Sequence, residues 1–441
     1  MLEPLKNKSY RHLFAAQVIA LLGTGLTTVA LALLTYDLAG DKAGTVLGTA
    51  LALKMIAYVT IAPIVSGLAA SLPRKRVLVT LDLIRAGFVL CLPFVSEVWQ
   101  IYLIIFLMQS CSAGFTPMFQ ATIPDIIPDE KTYTKALSLS RLAYDLESLV
   151  SPMLAALALL FLSFDALFSA NAIAFLISAM LVVTATLPKK EKAKDVRVIS
   201  VWEKISFGTR AYLSTPRLRG LLALSLAVSA AGAMVIVNTV VIVRGNFGLN
   251  EQDVALAFAA YGGGSMLAAF TLPKILDHLP DRPVMLGGAL VLALGLLAGS
   301  TVSSFLWLLP VWFLLGSAAS LINTPTGRLL RSSSAEEARP AYFGAQFSLS
   351  HACWLMTYPL AGWLGATIGI VGAFYVLAGI VVVGFVLALL IWPAKDELVI
   401  VHTHKDLPAN HPHLANAKAV KDGYRHKHDY AIDQNHKTWP K

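Results

Sequence analysis

The chain has 441 residues, of which 14% are charged and 56% hydrophobic, with a mean hydropathy of +0.68. Soluble domains carry about a quarter charged residues, so this balance excludes a soluble globular protein and points to a polytopic membrane protein. The formal net charge of +9 needs no nucleic-acid partner, because its sign follows from how the basic residues are distributed among the loops.

A helix rising 1.5 Å per residue needs about 20 apolar residues to cross roughly 30 Å of hydrocarbon. By that rule hydropathy predicts twelve spans, at about 12–36, 45–70, 78–97, 100–122, 134–160, 165–187, 218–243, 253–273, 284–302, 304–325, 342–366 and 370–392. The first is too long, and too closely followed by others, for a cleaved signal peptide. With the N-terminus placed inside, 30 of the 35 Lys and Arg fall on the cytoplasmic side, Lys42 and Arg244 fall outside, and Lys54, Arg85 and Arg141 fall within spans. The positive-inside rule therefore puts both termini in the cytoplasm. Cys91, Cys111 and Cys353 sit in apolar spans, which argues against a disulfide framework.

Four segments follow: a six-helix half over 1–187, a basic linker with an amphipathic helix over 188–217, a second half over 218–393, and a polar tail over 394–441. The halves repeat. At offsets of 206 to 210, Thr116-Pro117 falls on Thr324-Pro325, and Ser138-Leu139-Ser140-Arg141 falls on Ser348-Leu349-Ser350-His351. Pro152 and Pro359 follow, and the loop from Gly67 to Arg76 falls on the loop from Pro273 to Arg282.

A charge at the centre of a spanning helix costs about 2.5 to 3.5 kcal/mol, so ionisable residues there are functional candidates. They are Lys54, Asp82, Arg85, Arg141, Asp145, Glu147 and His351. Arg141 and Asp145 share a helix face and can neutralise one another, whereas Glu147, two positions beyond Asp145, points nearly the opposite way. Glu147 lies on the order of 18 Å deep and is the leading proton carrier, with a bridge to Lys54 as the structural alternative. His351, with Cys353 two positions on, is a candidate metal ligand across from Glu147. For Asn238 and Asn323, helix–helix hydrogen bonding is expected.

The tail holds seven of the ten histidines: His402, His404, His411, His413, His426, His428 and His436. Neutral imidazole binds Ni, Co, Zn or Cu(II). Three His-x-His pairs put two rings on one side of an extended chain, and Pro408, Pro412 and the polar composition predict that the tail is disordered.

Two like-oriented six-helix halves joined by a basic linker resemble the major facilitator superfamily over residues 1 to about 393. The stretch Asn7-Lys8-Ser9-Tyr10-Arg11-His12-Leu13, with Gln17, Gly23 and Tyr36-Asp37-Leu38, is similar to the drug–proton antiporter branch that includes macrolide and siderophore exporters, and so is Asp82-Leu83-Ile84-Arg85-Ala86. Within that branch the histidine-rich end resembles nickel and cobalt resistance exporters. The resemblance implies an all-α membrane protein of twelve transmembrane helices in two pseudo-symmetric halves that rock about a midplane site. It also implies a gating motif of Gly67, Arg74, Lys75, Arg76, Asp82, Arg85, Asp277 and Arg282, although Ser71 and Leu72 stand where the motif has an acid and an Arg. The expected function is export of a divalent metal, nickel first, then cobalt, with zinc also considered, by proton antiport. The alternative is a siderophore or amphipathic drug, with a metal-buffering tail. No catalytic residue or resident cofactor is expected; the partners are the metal ion, protons and the lipid bilayer, and the chain is expected to be a monomer. No nucleophile–base set marks an enzyme and no Walker loop marks an ATPase.

Overall fold

The computed structural model describes residues 2–39, 43–69, 73–159, 161–187, 201–249, 251–395, 399–404, 412–414, 417–421, 423–432, 436 and 439. The linker over 188–200, Ser71, Leu72 and His411 lie outside the described residues, as do the side chains of Gly67, Arg141, Asp145 and Pro152. Among the described residues, the first half is built from α1 (Lys8–Ala39), α2 (Ala43–Ala69), α3 (Arg74–Cys91), α4 (Val98–Ile126), α5 (Glu130–Leu159) and α6 (Phe164–Thr184). A shorter helix, α7 (Val201–Ser214), precedes α8 (Pro216–Val240), α9 (Glu251–Leu276), α10 (Asp281–Gly299) and α11 (Phe305–Asn323). The chain then breaks at Thr324-Pro325 and continues as α12 (Thr326–Ser333), α13 (Arg339–Thr367) and α14 (Gly369–Ile391). Proline at that point removes a backbone donor and ends the ladder. Gly369, at φ +77°, makes the tight turn between α13 and α14, a conformation that side chains with a Cβ rarely adopt.

The repeat is visible in the helix starts. Those of α1, α2, α3, α4 and α5 recur in α8, α9, α10, α11 and α13 at a spacing of 207 to 209 positions (8 to 216, 43 to 251, 74 to 281, 98 to 305, 130 to 339). Nine helical segments of the described chain are long and apolar enough to cross a membrane on composition alone. The halves meet along helix pairs drawn from opposite bundles. The pairings are α2 with α13 and α5 with α9. Each half buries its own apolar core, one of them around Trp312, Phe374 and Leu296 and the other around Phe168, Phe175 and Val89.

Lys75 and Arg282, two of the expected gate elements, cap helix ends. Lys75 Nζ donates to Ala185 O, at the end of α6, at 2.9 Å. Arg282 Nε donates to Trp392 O, at the end of α14, at 3.0 Å, and its Nη2 donates to Leu389 O at 3.1 Å. The two cations meet carbonyls that carry the negative end of a helix dipole, and donor and acceptor both recur at a spacing of 207 (75 to 282, 185 to 392). Arg282→Ala is expected to fray the last turn of α14 at a cost of about 0.3–1 kcal/mol, read as faster amide exchange near Trp392; unchanged exchange there would remove the capping role.

The tail is folded rather than disordered where it is described. β1 (Val399–His404), β2 (Lys418–Val420) and β3 (Gly423–Asp429) form an antiparallel sheet in the order β1-β3-β2, with His402 opposite His426. Alternation of period two, in Val399 to His404 and again in Tyr424 to Asp429, is a strand pattern, and it outweighs the polar composition. Tyr342 on α13 donates its hydroxyl to Ile432 O at 3.0 Å, and Trp439 lies 5.2 Å beneath the Arg217 guanidinium. Tyr430 and Ile432 join the core of the second half.

Candidate functional site: a polar cluster, a gate and an imidazole nest

Within the spans, α2, α5 and α13 bring together three of the expected residues, one of them a cation. Lys54 lies within electrostatic reach of both Glu147 and His351, with its ammonium 5.6 Å from the centre of the Tyr58 ring. Glu147 packs towards Gly25, where a Cβ would stand 3.6 Å from its Cγ; the small residue lets α1 approach α5. His351 Nδ1 meets Phe347 O at 2.7 Å. A carbonyl can only accept, so Nδ1 carries the proton and Nε2 keeps its lone pair, the arrangement in which a histidine can ligate a metal. The ring also packs against Tyr58 and Phe347. Cys353 does not join it. Two positions along a helix turn a side chain to nearly the opposite face, and Cys353 is buried beside Tyr212. Asn238 makes the expected interhelical bond, donating to Ala361 O at 3.2 Å.

Asp82 and Arg85, also expected in the gating motif, make their contacts within the first half. They form an ion pair two turns inside α3, where Ser178 donates to Asp82 at 2.8 Å. The Arg85 guanidinium lies 4.2 Å and 4.4 Å over the rings of Phe115 and Phe175. This network ties α3, α4 and α6 together within the first half. Arg76 and Asp277 are exposed.

Arg74, expected in the gate, is joined there by residues that sequence reasoning missed. At the face carrying the basic loops, Asp125, at the end of α4, pairs with Arg74 of its own half and with Arg339 at the start of α13. Arg328 reaches back to Glu130 at 2.9 Å and to Thr134 at 3.3 Å, Tyr133 donates to Gly327 O at 3.3 Å, and Arg331 donates to Pro128 O. Gly327 lets the halves close, since a Cβ there would stand 2.6 Å from Leu137. The halves are therefore latched at this face. The missed signal was available in part: Asp125, Glu130, Arg328, Arg331 and Arg339 cluster at helix ends, but their pairing spans some 200 residues.

On the same face the tail converges six imidazoles. His402, His413, His426, His428 and His436 each offer a ring nitrogen, and these atoms all lie within 4.8 Å of one another. His402 Nε2 is 3.1 Å from His404 Nε2, 3.0 Å from His426 Nε2 and 3.0 Å from His436 Nε2, and His413 Nε2 is 3.3 Å from His436 Nε2. One ring proton can serve only one of these contacts. Metal–nitrogen bonds of about 2.0–2.1 Å set neighbouring ligands roughly 3.4 Å apart in a tetrahedron and roughly 2.9 Å apart in an octahedron, so the spacing fits a central cation. His402 Nδ1 meets Ile400 O at 3.0 Å, which fixes its tautomer with Nε2 facing inward.

Burial pushes the His402 and His413 rings down from 6.5 to about 4, and neighbouring imidazoles add to the effect; the Ile400 bond opposes it at His402. Burial also lowers His426. Between roughly pH 6.5 and 4 an unfolded tail takes up protons that the folded one refuses, so folding stability falls as pH falls through that window and is unaffected above it. The sheet of the metal-stripped chain is expected to come apart there, seen as loss of amide protection in β1 and β3; full protection at pH 4 would sink this.

The model of the family described as Major Facilitator Superfamily matches residues 13–236 and 222–408. An uncharacterized MFS-type transporter, YfiS, of Bacillus subtilis (strain 168) is 26% identical over 390 residues, covering 84% of this chain and 90% of that protein. Macrolide efflux protein A of Streptococcus pyogenes is 26% identical over 182 residues, 40% of this chain and 44% of that one. In solved structures, the fold is similar to the human organic anion transporter MFSD10 (TETRAN), with a TM-score of 0.76 at 13% identity over 86% of this chain and 99% of that chain. It is also similar to FucP in the outward conformation, with a TM-score of 0.66 at 14% identity over 87% and 99%.

Proposed function

The chain belongs to the major facilitator superfamily, and on that premise we propose that it exports a divalent transition metal, nickel first and cobalt next, by proton antiport across a bacterial cytoplasmic membrane. The observation that carries this reading is the nest of imidazoles seated on a transporter, at the face that the positive-inside rule makes cytoplasmic. The metal is cargo, taken by His402, His404, His413, His426, His428 and His436. A tail of this kind raises the concentration of cation beside the entrance.

Moving a divalent cation outward against an inside-negative potential costs about 4.6 kcal/mol at 100 mV, and two entering protons cancel that charge. Glu147 is the first carrier and the His351 Nε2 lone pair is a second titratable position; Lys54 neutralises Glu147 between loads. The halves then rock about this cluster, closing at Asp125 and Arg339 on the cytoplasmic side. The protein works as a monomer in the bilayer.

Everted vesicles bearing the purified chain should take up Ni or Co when an inward-acid pH difference is imposed. Uptake of neither, nor of Zn, overturns the metal reading. A second reading is favoured by Lys54, a cation at the centre of the cluster, by the rings of Tyr58 and Phe347 beside it, and by the macrolide-efflux relatives: the cargo is an amphipathic organic compound, and the tail buffers metal. Removing residues 394–441 separates the two, because resistance to an organic compound would survive the truncation and resistance to a metal would fall.

A further inference from the structure

Between the gate and the tail sheet lies a cavity of about 540 Å³, a volume within the range of small-molecule sites. Arg328, Arg331 and Arg339 of the second half line it, facing His413 and His428 of the tail. Glu130 is the acid among its described lining, and its carboxylate is engaged by Arg328 at 2.9 Å.

Three guanidinium N–H groups at this cavity, Arg328 Nε, Arg331 Nη1 and Arg339 Nε, are shut off from solvent without a hydrogen-bond partner. The carboxylate facing Arg328 Nε, that of Asp281, stands 3.5 Å away. Being shut off from solvent, these three N–H groups lie behind the cavity wall; what reaches the cavity is the positive charge of three clustered guanidiniums, which favours anionic acceptor oxygens there. Guanidinium is the group that matches carboxylate and phosphoryl oxygens in two-point contact.

We propose that this cavity binds a small organic polyanion carrying two or more carboxylate or phosphoryl groups. Inorganic phosphate would fill only a small part of the volume, and Tyr133 and Tyr430 supply aromatic wall for a carbon skeleton. Tyr133 and Glu130 come from the first half, the arginines from the second and the imidazoles from the tail. The complete site exists only while the gate is shut, so the ligand favours that conformation by its differential affinity. The arginines on which this site rests are not among the groups proposed to hold the cargo.

Calorimetry on the purified, metal-stripped full chain tests it, with citrate, ATP and inorganic phosphate as probes. Citrate or ATP is expected to bind more tightly than phosphate, and the comparison of citrate with ATP tells a carboxylate from a phosphoryl ligand. Arg331→Gln should weaken the tighter probe about tenfold or more. Ser332→Asp, which adds a negative charge at an exposed position on the cavity wall, should also weaken it and keeps the test open if the arginine variant does not fold. Absence of citrate and ATP binding at millimolar concentration, or an affinity unchanged in both variants, overturns the proposal. Because no metal is present, its failure would leave the metal-export reading untouched.

Discussion

Asp125→Asn is expected to throw the gate open and stop transport. The Asp125 side chain is 4% exposed and sits between Arg74 and Arg339; without its charge, two guanidiniums face one another in a buried position. Breaking a buried ion pair from one side costs about 3–5 kcal/mol. A swing of about 5.5 kcal/mol carries a two-state equilibrium from 1:99 to 99:1, so loss of this single carboxylate moves most molecules out of the latched state. Glu130 with Arg328, and Tyr133 with Gly327, remain, and they limit the shift rather than prevent it. Spin labels placed on the two halves at this face should show the latched distance replaced by a longer one. An unchanged distance distribution would mean that Asp125 is not the latch.

Glu147→Gln should abolish uphill export while leaving the tail's metal affinity intact. Glutamine keeps the shape that packs towards Gly25 but cannot release a proton, and it leaves Lys54 without its neutralising charge. Gradient-driven accumulation in everted vesicles should fall to the level of protein-free vesicles. Retention of full uptake would take proton coupling away from this residue. Thermal unfolding of the variant, compared with that of the parent chain, separates lost coupling from lost structure.

The spans and the repeat were readable in sequence because both are local in origin: apolar length sets where a helix can sit in lipid, and the common offset survives in features such as Thr116-Pro117 and Thr324-Pro325. The pairings were not. Nothing near Asp125 in the chain names Arg339 as its partner, and charges at helix ends are common enough to carry little signal. Lys75 and Arg282 were grouped with the gate because they stand in the right loops; only the ends of α6 and α14, brought back beside them, reveal what they hold. Among the intramembrane candidates, Lys54, Glu147 and His351 do come together, whereas Cys353 turns away for a reason that helical geometry already contained. In the tail the imidazoles were legible but their convergence was not, because proline and polar composition masked the two-residue alternation of Val399 to His404.

Lys75 and Arg282 each staple the sixth helix of a bundle to the third helix of that same bundle, and neither staple crosses to the other side. The hinge can therefore be worked without loosening either body. Guanidinium contacts are the charged part of what resists opening, so the machine's switching energy is tunable one arginine at a time, with the helical frames left rigid.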